Sequence, residues 1–269
     1  MSVLDEILAT KRDEVTLLHQ PQARDAIRKA ALASPATRGF EAALRERRAA
    51  GSLGVIAEIK RRSPSKGDLA PDLDPAGVAR DYERGGAACL SVLTDGPFFG
   101  GSVADLQAAR DATSATPILR KDFTIDPDQV YEARGIGADA LLLIVAAIPD
   151  DTLLADLLSL ARDLTLDVLV EAHDEREVGR AIEAGASIVG INARDLTTFV
   201  EDLAVAERLV ASLPREALAV AESAIRSVDD ARRMGDAGFD AVLVGEALVR
   251  SDDPEALARE LSNLPFSAR

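Results

Sequence analysis

The chain has 269 residues, 47% of them apolar but only 3% aromatic and none tryptophan; the core must be aliphatic, and the length suits one α/β barrel or two small domains. A formal charge of −15 and a pI near 4.6 argue against nucleic acid or an anionic membrane as the default partner, and any anionic ligand must be held by local Lys, Arg and backbone N–H groups. Cys89 is the only cysteine, so no intrachain disulfide is possible and a reducing compartment fits; His19 and His173 are too few and too far apart for a typical zinc site.

The first residues lack a basic segment followed by an apolar one, so no signal peptide is indicated. The longest apolar run, 140–148, falls short of the ~20 residues that span a bilayer. The expectation is a soluble, cytoplasmic chain, monomeric or weakly homo-oligomeric, with no metal site and no nucleic acid or membrane as partner.

Residues 1–50 read differently from the remainder. Leu4, Ile7, Leu8, Val15 and Leu18 recur at helical spacing among charged residues, and a second amphipathic piece runs through Phe40, Ala43 and Leu44. This predicts a helical extension packed on the main body and lacking its own core, with 51–269 as the catalytic domain.

From Leu53 onward a rhythm appears. Apolar runs at 54–60, 88–93, 117–121, 139–145, 167–171, 187–192, 217–222 and 240–245 predict strands. Helical patterns at 75–84, 102–112, 126–134, 150–163, 174–184, 202–211, 227–236 and 253–262 lie between and after them. Several open on N-cap residues or N1 prolines: Asp74-Pro75, Ser102, Asp126-Pro127, Asp174 and Asp253-Pro254. Gly86, Gly137, Gly185 and Gly238 each precede an even-numbered strand at intervals of roughly 50 residues, as helix C′ glycines would. Eight βα units in four periods fit a closed α/β barrel, a single (β/α)₈ TIM barrel with an N-terminal helical extension, better than an open sheet. No Gly-x-Gly-x-x-Gly follows the first strand, which leaves a dinucleotide site without support.

In that fold the chemistry sits where strands end. The first strand runs into Glu58, Lys60 and Ser63; Glu58 and Lys60, two apart, project to one face. The second leads to Phe98 and Phe99 on a glycine-flanked loop, suited to an aromatic wall. The third ends Arg120-Lys121-Asp122-Phe123, the fifth Glu171-Ala172-His173, the sixth Asn192-Ala193-Arg194-Asp195-Leu196. The seventh ends Glu222-Ser223-Ala224, the eighth Leu243-Val244-Gly245. Glu222 and Arg194 could be structural ion partners of one another. The Ser223 turn, with Gly245 opening the next helix, offers backbone N–H groups to a phosphate, and phosphate sites after strands seven and eight recur in this fold.

The segments Ala57-Glu58-Ile59-Lys60-Arg61-Arg62-Ser63-Pro64-Ser65, Ser91-Val92-Leu93-Thr94-Asp95, Leu119-Arg120-Lys121-Asp122-Phe123, Ile191-Asn192-Ala193-Arg194-Asp195-Leu196 and Ala221-Glu222-Ser223 together resemble the indole-3-glycerol phosphate synthase family, in register over nearly the whole chain. The resemblance implies a carboxy-lyase of tryptophan biosynthesis that needs no cofactor. It would close the indole ring of 1-(2-carboxyphenylamino)-1-deoxyribulose 5-phosphate with loss of CO₂ and water. It further implies Lys121 as general acid, Lys60 on the substrate carboxylate, Glu171 as acid or base in the dehydration, and Glu58 and Asn192 as orienting groups. By the same resemblance Ser63, Arg194, Glu222, Ser223, Ala224 and Gly245 contact substrate, the last ones at its phosphate, and Phe99, Phe123, Leu196 and Leu243 face the anthranilate ring.

Three residues depart from the family pattern. Ala224 stands where glycine is usual, Gly96-Pro97 replaces a polar pair, and Thr124 is polar where an aliphatic residue is usual. Two other readings stay open at this level: a Schiff-base aldolase with Lys121 as nucleophile, which needs a desolvated lysine of lowered pKa, and a catalytically silent phosphosugar-binding barrel. The stretch 63–67 reads as a mobile loop over the substrate.

Overall fold

The computed structural model describes residues 2–194 and 200–266. Three helices precede the barrel: α1 (Val3–Leu18), α2 (Pro21–Ala33) and α3 (Phe40–Ala49). Ser2 and Asp5 close α1 with a capping box, satisfying two of its free N–H groups reciprocally. Phe40 and Leu44 of α3 are fully buried and belong to the same apolar cluster as the barrel strands. The pattern reading passed over α2, whose only buried residue is Ala31; a face of alanines gives little hydrophobic period. It packs on α6 (Pro127–Gly135), where a methyl at Gly135 would lie 3.1 Å from Ala30 Cβ.

The eight barrel strands are β1 (Gly54–Ile59), β2 (Cys89–Leu93), β3 (Ile118–Lys121), β4 (Ala140–Ile144), β5 (Asp167–Ala172), β6 (Ile188–Asn192), β7 (Leu218–Glu222) and β8 (Ala241–Val244). Each pairs in parallel with the next, and β8 closes on β1. Around them lie α4 (Pro75–Arg84), α5 (Val103–Ala112), α6, α7 (Asp151–Asp163), α8 (Glu175–Glu183), α9 (Leu203–Val210), α10 (Val228–Asp236), the short α11 (Glu246–Val249) and α12 (Pro254–Ser262). The boundaries agree with those read from the pattern to within a residue. The predicted caps are made: Asp74, Ser102, Asp126, Asp174 and Asp253 each accept from the first-turn backbone of their helix. Gly86, Gly137, Gly185 and Gly238 all have positive φ, from +83° to +98°, the left-handed backbone that glycine adopts without penalty.

Two features fell outside the pattern. The segment expected as a loop over the substrate folds as an antiparallel hairpin, Arg62–Ser63 against Gly67–Asp68. At the opposite, N-terminal end of the barrel, buried aspartates tie strand starts together. Asp139 accepts from the Ile118 and Arg38 amides at 2.8 Å each, and Asp240 from the Ala219 amide at 2.7 Å. These bonds satisfy buried donors at the end of the barrel away from the strand C-termini.

Candidate active site

Inward side chains of such a barrel stack in layers drawn from alternate strands. At the C-terminal end the odd strands contribute Glu58, Lys121, Glu171 and Glu222. Three carboxyls and one ammonium therefore meet where apolar residues usually fill a barrel. Lys121 Nζ lies 2.9 Å from Glu171 Oε2 and 3.0 Å from Glu222 Oε2. Lys60 Nζ sits 2.5 Å from Glu58 Oε1. Asn192 donates from Nδ2 to Glu171 Oε1 at 3.0 Å. The sequence thus identified a set of residues that does converge. Glu222 and Arg194 are not mutual partners: Arg194 pairs with Glu201, Nη2 to Oε1 2.5 Å, and Glu222 with Lys121.

Two glycines make room for this cluster. A methyl on Gly190 would lie 1.9 Å from Glu222 Oε1, and one on Gly245 would lie 2.4 Å from Glu58 Oε1 and 3.1 Å from Lys60 Nζ. Gly190 drew no notice in the sequence, because a strand glycine carries no charge pattern to read.

The charges divide unevenly. Burial pushes the Lys121 ammonium toward its neutral form, but Glu171, Glu222 and Glu58 outweigh it and raise its pKa above the ordinary lysine value. Burial pushes the Glu171 carboxyl up, yet the Lys121 ammonium, His173 and Asn192 hold it well below the usual carboxylate range. Glu222 goes the other way. Burial, opposed by Lys121 but reinforced by the Glu171 charge, pushes it up to about 8. Two carboxyls thus flank one lysine, with their pKa values pushed in opposite directions.

The cluster forms the floor of a cleft whose empty space, open solvent included, is about 1160 Å³. One wall is aromatic. Phe99 and Phe123 have ring centroids 6.0 Å apart and both line the cleft. Phe99 is placed by Asp95, whose Oδ1 accepts from the Phe98 and Phe99 amides at 2.8 and 3.1 Å. Leu93, Leu142, Ile144 and Leu243 add aliphatic surface. Val3, Leu4 and Ile7 of α1 also line it; the helical period marks Leu4 and Ile7 for packing only and passes over Val3. Lys11 holds α1 there, fully buried between Asp122 (2.9 Å) and Asp95 (3.0 Å).

Opposite lies an anion-competent rim of Ser223, Ala224, Gly245 and Arg226. Ser223 and Ala224 have φ of +65° and +60°, and Gly245 is the N-cap of α11. Ser63 is buried in the hairpin, and its neighbours Pro64 and Ser65 line the cleft instead. Thr124 is buried outside the cleft. Leu196 lies outside the described residues.

Among the described residues one group has the spacing of metal ligands, His19, Asp126 and Asp128, with ligand atoms within 4.8 Å of one another. Arg24 (2.6 Å) and Arg28 (3.3 Å) already neutralise Asp128, which accounts for the cluster as ion pairing. No helix among the described residues is long and apolar enough to cross a membrane.

A closed barrel with two lysines and three glutamates at its C-terminal mouth, an aromatic wall and a backbone-rich rim defines a class: a (β/α)₈ enzyme equipped for acid–base chemistry on a small anionic substrate. The sequence model of the family described as indole-3-glycerol phosphate synthase matches residues 4–261, and the chain belongs to that family. Curated relatives named indole-3-glycerol phosphate synthase include one from Polaromonas naphthalenivorans, 48% identical over 96% of this chain and 98% of its own length. Another, from Mycobacterium ulcerans, is 47% identical over 97% of this chain and 93% of its own. Among solved structures, Mycobacterium tuberculosis tryptophan synthase superposes with a TM-score of 0.62 at 17% identity, over 87% of this chain and 100% of that one. Salmonella typhimurium 3-hexulose-6-phosphate synthase does so with 0.60 at 18%, over 78% and 97%. These last two show the barrel fold alone.

Proposed function

We propose that the chain is the synthase that closes the indole ring of 1-(2-carboxyphenylamino)-1-deoxyribulose 5-phosphate, and that the Lys121–Glu171–Glu222 contact performs the proton transfers. The observation that carries this reading is a buried lysine whose Nζ lies 2.9 Å from Glu171 Oε2 and 3.0 Å from Glu222 Oε2. As the aromatic carbon bearing the carboxylate attacks the ketone carbon, the ketone oxygen takes a proton from Lys121, which also stabilises the oxyanion as it forms. Loss of CO₂ returns its bonding electrons to the ring. In the dehydration that follows, ionised Glu171 removes a proton from the methylene carbon beside the nitrogen, and the departing hydroxyl takes a second proton from Lys121, once its ammonium is restored, and leaves as water. Glu222, protonated and 3.0 Å from Lys121, is the natural source for restoring the ammonium.

Lys60, steered by Glu58, takes the substrate carboxylate, and Asn192 orients Glu171. The Phe99–Phe123 wall takes the anthranilate ring, with Leu243 beside it. Ser63, through its hairpin, and Arg194 are assigned to substrate contact. Ser223, Ala224 and Gly245 face the phosphate with backbone N–H groups. The raised lysine pKa counts against a Schiff-base aldolase, which needs a neutral amine. Residues 1–50 act as an extension of the 51–269 barrel, since α1 supplies part of the cleft. Cytoplasmic residence and a monomeric or weakly associated state belong to the same reading. The test is the indole fluorescence that develops on supplying the substrate: its appearance supports the assignment, and binding without product refutes it.

A further inference from the structure

One charged side chain beside the cluster has no part in the reaction as described. His173 follows β5 two residues after Glu171, and both of its ring nitrogens face carboxylates. Nδ1 lies 3.0 Å from Glu177 Oε2 and Nε2 lies 3.3 Å from Glu171 Oε1. The same Glu177 oxygen also accepts from the His173 backbone amide at 2.9 Å. The side chain is 13% exposed, so the ring has little room to turn away. A neutral imidazole has one protonated nitrogen and one lone pair. Between two carboxylates, either tautomer would set that lone pair against the lone pairs of an oxygen, whereas the imidazolium donates from Nδ1 to Glu177 and keeps Nε2, 3.3 Å from Glu171 Oε1, in an ion-pair contact without hydrogen-bond geometry.

We propose that His173 is a positioning residue of the active site, an imidazolium clamped between Glu177 and Glu171 that aims the Glu171 carboxylate at Lys121. The proposal rests on the role given to Glu171 above. Glu171 Oε1 faces His173 and Asn192, which leaves Oε2 to Lys121. The remaining charged neighbours are Glu222 from β7 across the lysine and Glu58 from β1 beyond it. Glu177, in the first turn of α8, anchors the clamp outside the barrel. Burial works against the charged ring, but the two carboxylates prevail and raise it to about 10. The positive charge next to Glu171 in turn favours its ionised form.

The chain has only two histidines, so long-range ¹H–¹⁵N NMR on the full-length protein resolves both rings, with His19→Gln giving the assignment. At pH 7.5 His173 is expected to be protonated on both nitrogens, and Glu177→Gln and Glu171→Gln should each lower its titration. Kinetics of His173→Asn, with its melting temperature measured alongside, supply the second arm. Misplacing a working group costs on the order of 10- to 100-fold in rate, so kcat should fall by that factor while KM stays within about twofold. The acidic limb of the kcat profile should move to higher pH, because Glu171 has lost a neighbouring cation. A neutral His173 ring at pH 7.5 would overturn the proposal. So would a folded His173→Asn variant with wild-type kcat and an unmoved acidic limb, beside an inactive Glu171→Gln. Wild-type turnover in Glu171→Gln would instead overturn the role of Glu171 itself, and with it the catalytic consequence of the clamp.

Discussion

Lys121 and Glu222 stand on the third and seventh strands of an eight-strand ring, on opposite sides of the barrel, yet Nζ and Oε2 are 3.0 Å apart. The ammonium reaches across the barrel axis, and the mouth is closed by a bridge of charge where hydrocarbon would ordinarily sit. Breaking a buried pair by removing one partner leaves an uncompensated charge and costs about 3–5 kcal/mol, so the bridge both fixes the lysine and constrains what can replace it.

The protonated state of Glu222 should appear in the stability profile. Its pKa is raised from 4.5 to about 8, so between those values the folded state binds more protons than the unfolded one. The contribution is fully present below pH 4.5 and lost as pH rises through 8. The melting temperature of the wild type should therefore decline across that window, and Glu222→Gln, an amide that cannot ionise, should flatten the decline. His173, raised from 6.5 to about 10, acts with the same sign over a higher window and should account for the fall that persists. An unchanged slope in Glu222→Gln would show that this carboxyl is ionised in the folded protein.

Gly190→Ala tests whether glycine is needed to admit Glu222. The added methyl would sit 1.9 Å from Glu222 Oε1, so the carboxyl must move and the Lys121 contact with it. Turnover should drop on the order of 10²-fold, with a smaller change in KM. Near-normal kcat would mean that Glu222 has a second workable position.

Ala224→Gly tests the departure at the rim. Ala224 holds φ +60°, a conformation that costs a non-glycine residue on the order of 1 kcal/mol. The substitution should relieve that strain and remove a methyl from the proposed phosphate rim. The expected result is a slightly higher melting temperature and a lower KM, with kcat unchanged; inorganic phosphate should also inhibit at lower concentration. An unchanged KM would show that the methyl does not crowd the anion.

Lys11→Met tests the latch on α1. Two buried carboxylates, Asp95 and Asp122, would lose a shared cation, and a loss of about 3–5 kcal/mol follows. Because Val3, Leu4 and Ile7 line the cleft, KM should rise as well. A stable variant with unchanged KM would place the α1 contact outside the reaction.

The barrel was legible because every signal agreed: apolar runs of strand length, amphipathic helices between them, aspartate or serine caps, and glycines at helix ends. Helix α2 was not legible, since Ala30 and Ala31 pack through smallness and alanine carries no strong period. Glu58, Lys121, Glu171 and Glu222 could be picked out because charged or amide side chains recur at strand ends on one face of the barrel, and the family resemblance gave them roles. The opposite pKa shifts of Glu171 and Glu222 could not, because those depend on which carboxylate the lysine and histidine approach. Val3, Leu4 and Ile7 looked like any helix face, and only the Lys11 anchor brings them to the cleft. Ser63 was placed by its motif alone, and the hairpin that buries it also sets Pro64 and Ser65 at the cavity.

The most direct measurement compares the wild type with Lys121→Met, following indole fluorescence with saturating 1-(2-carboxyphenylamino)-1-deoxyribulose 5-phosphate and determining substrate affinity separately. The account predicts steady product formation by the wild type, and in Lys121→Met a loss of nearly all turnover with much of the binding retained. Substantial turnover in the variant, or none in the wild type, would contradict it.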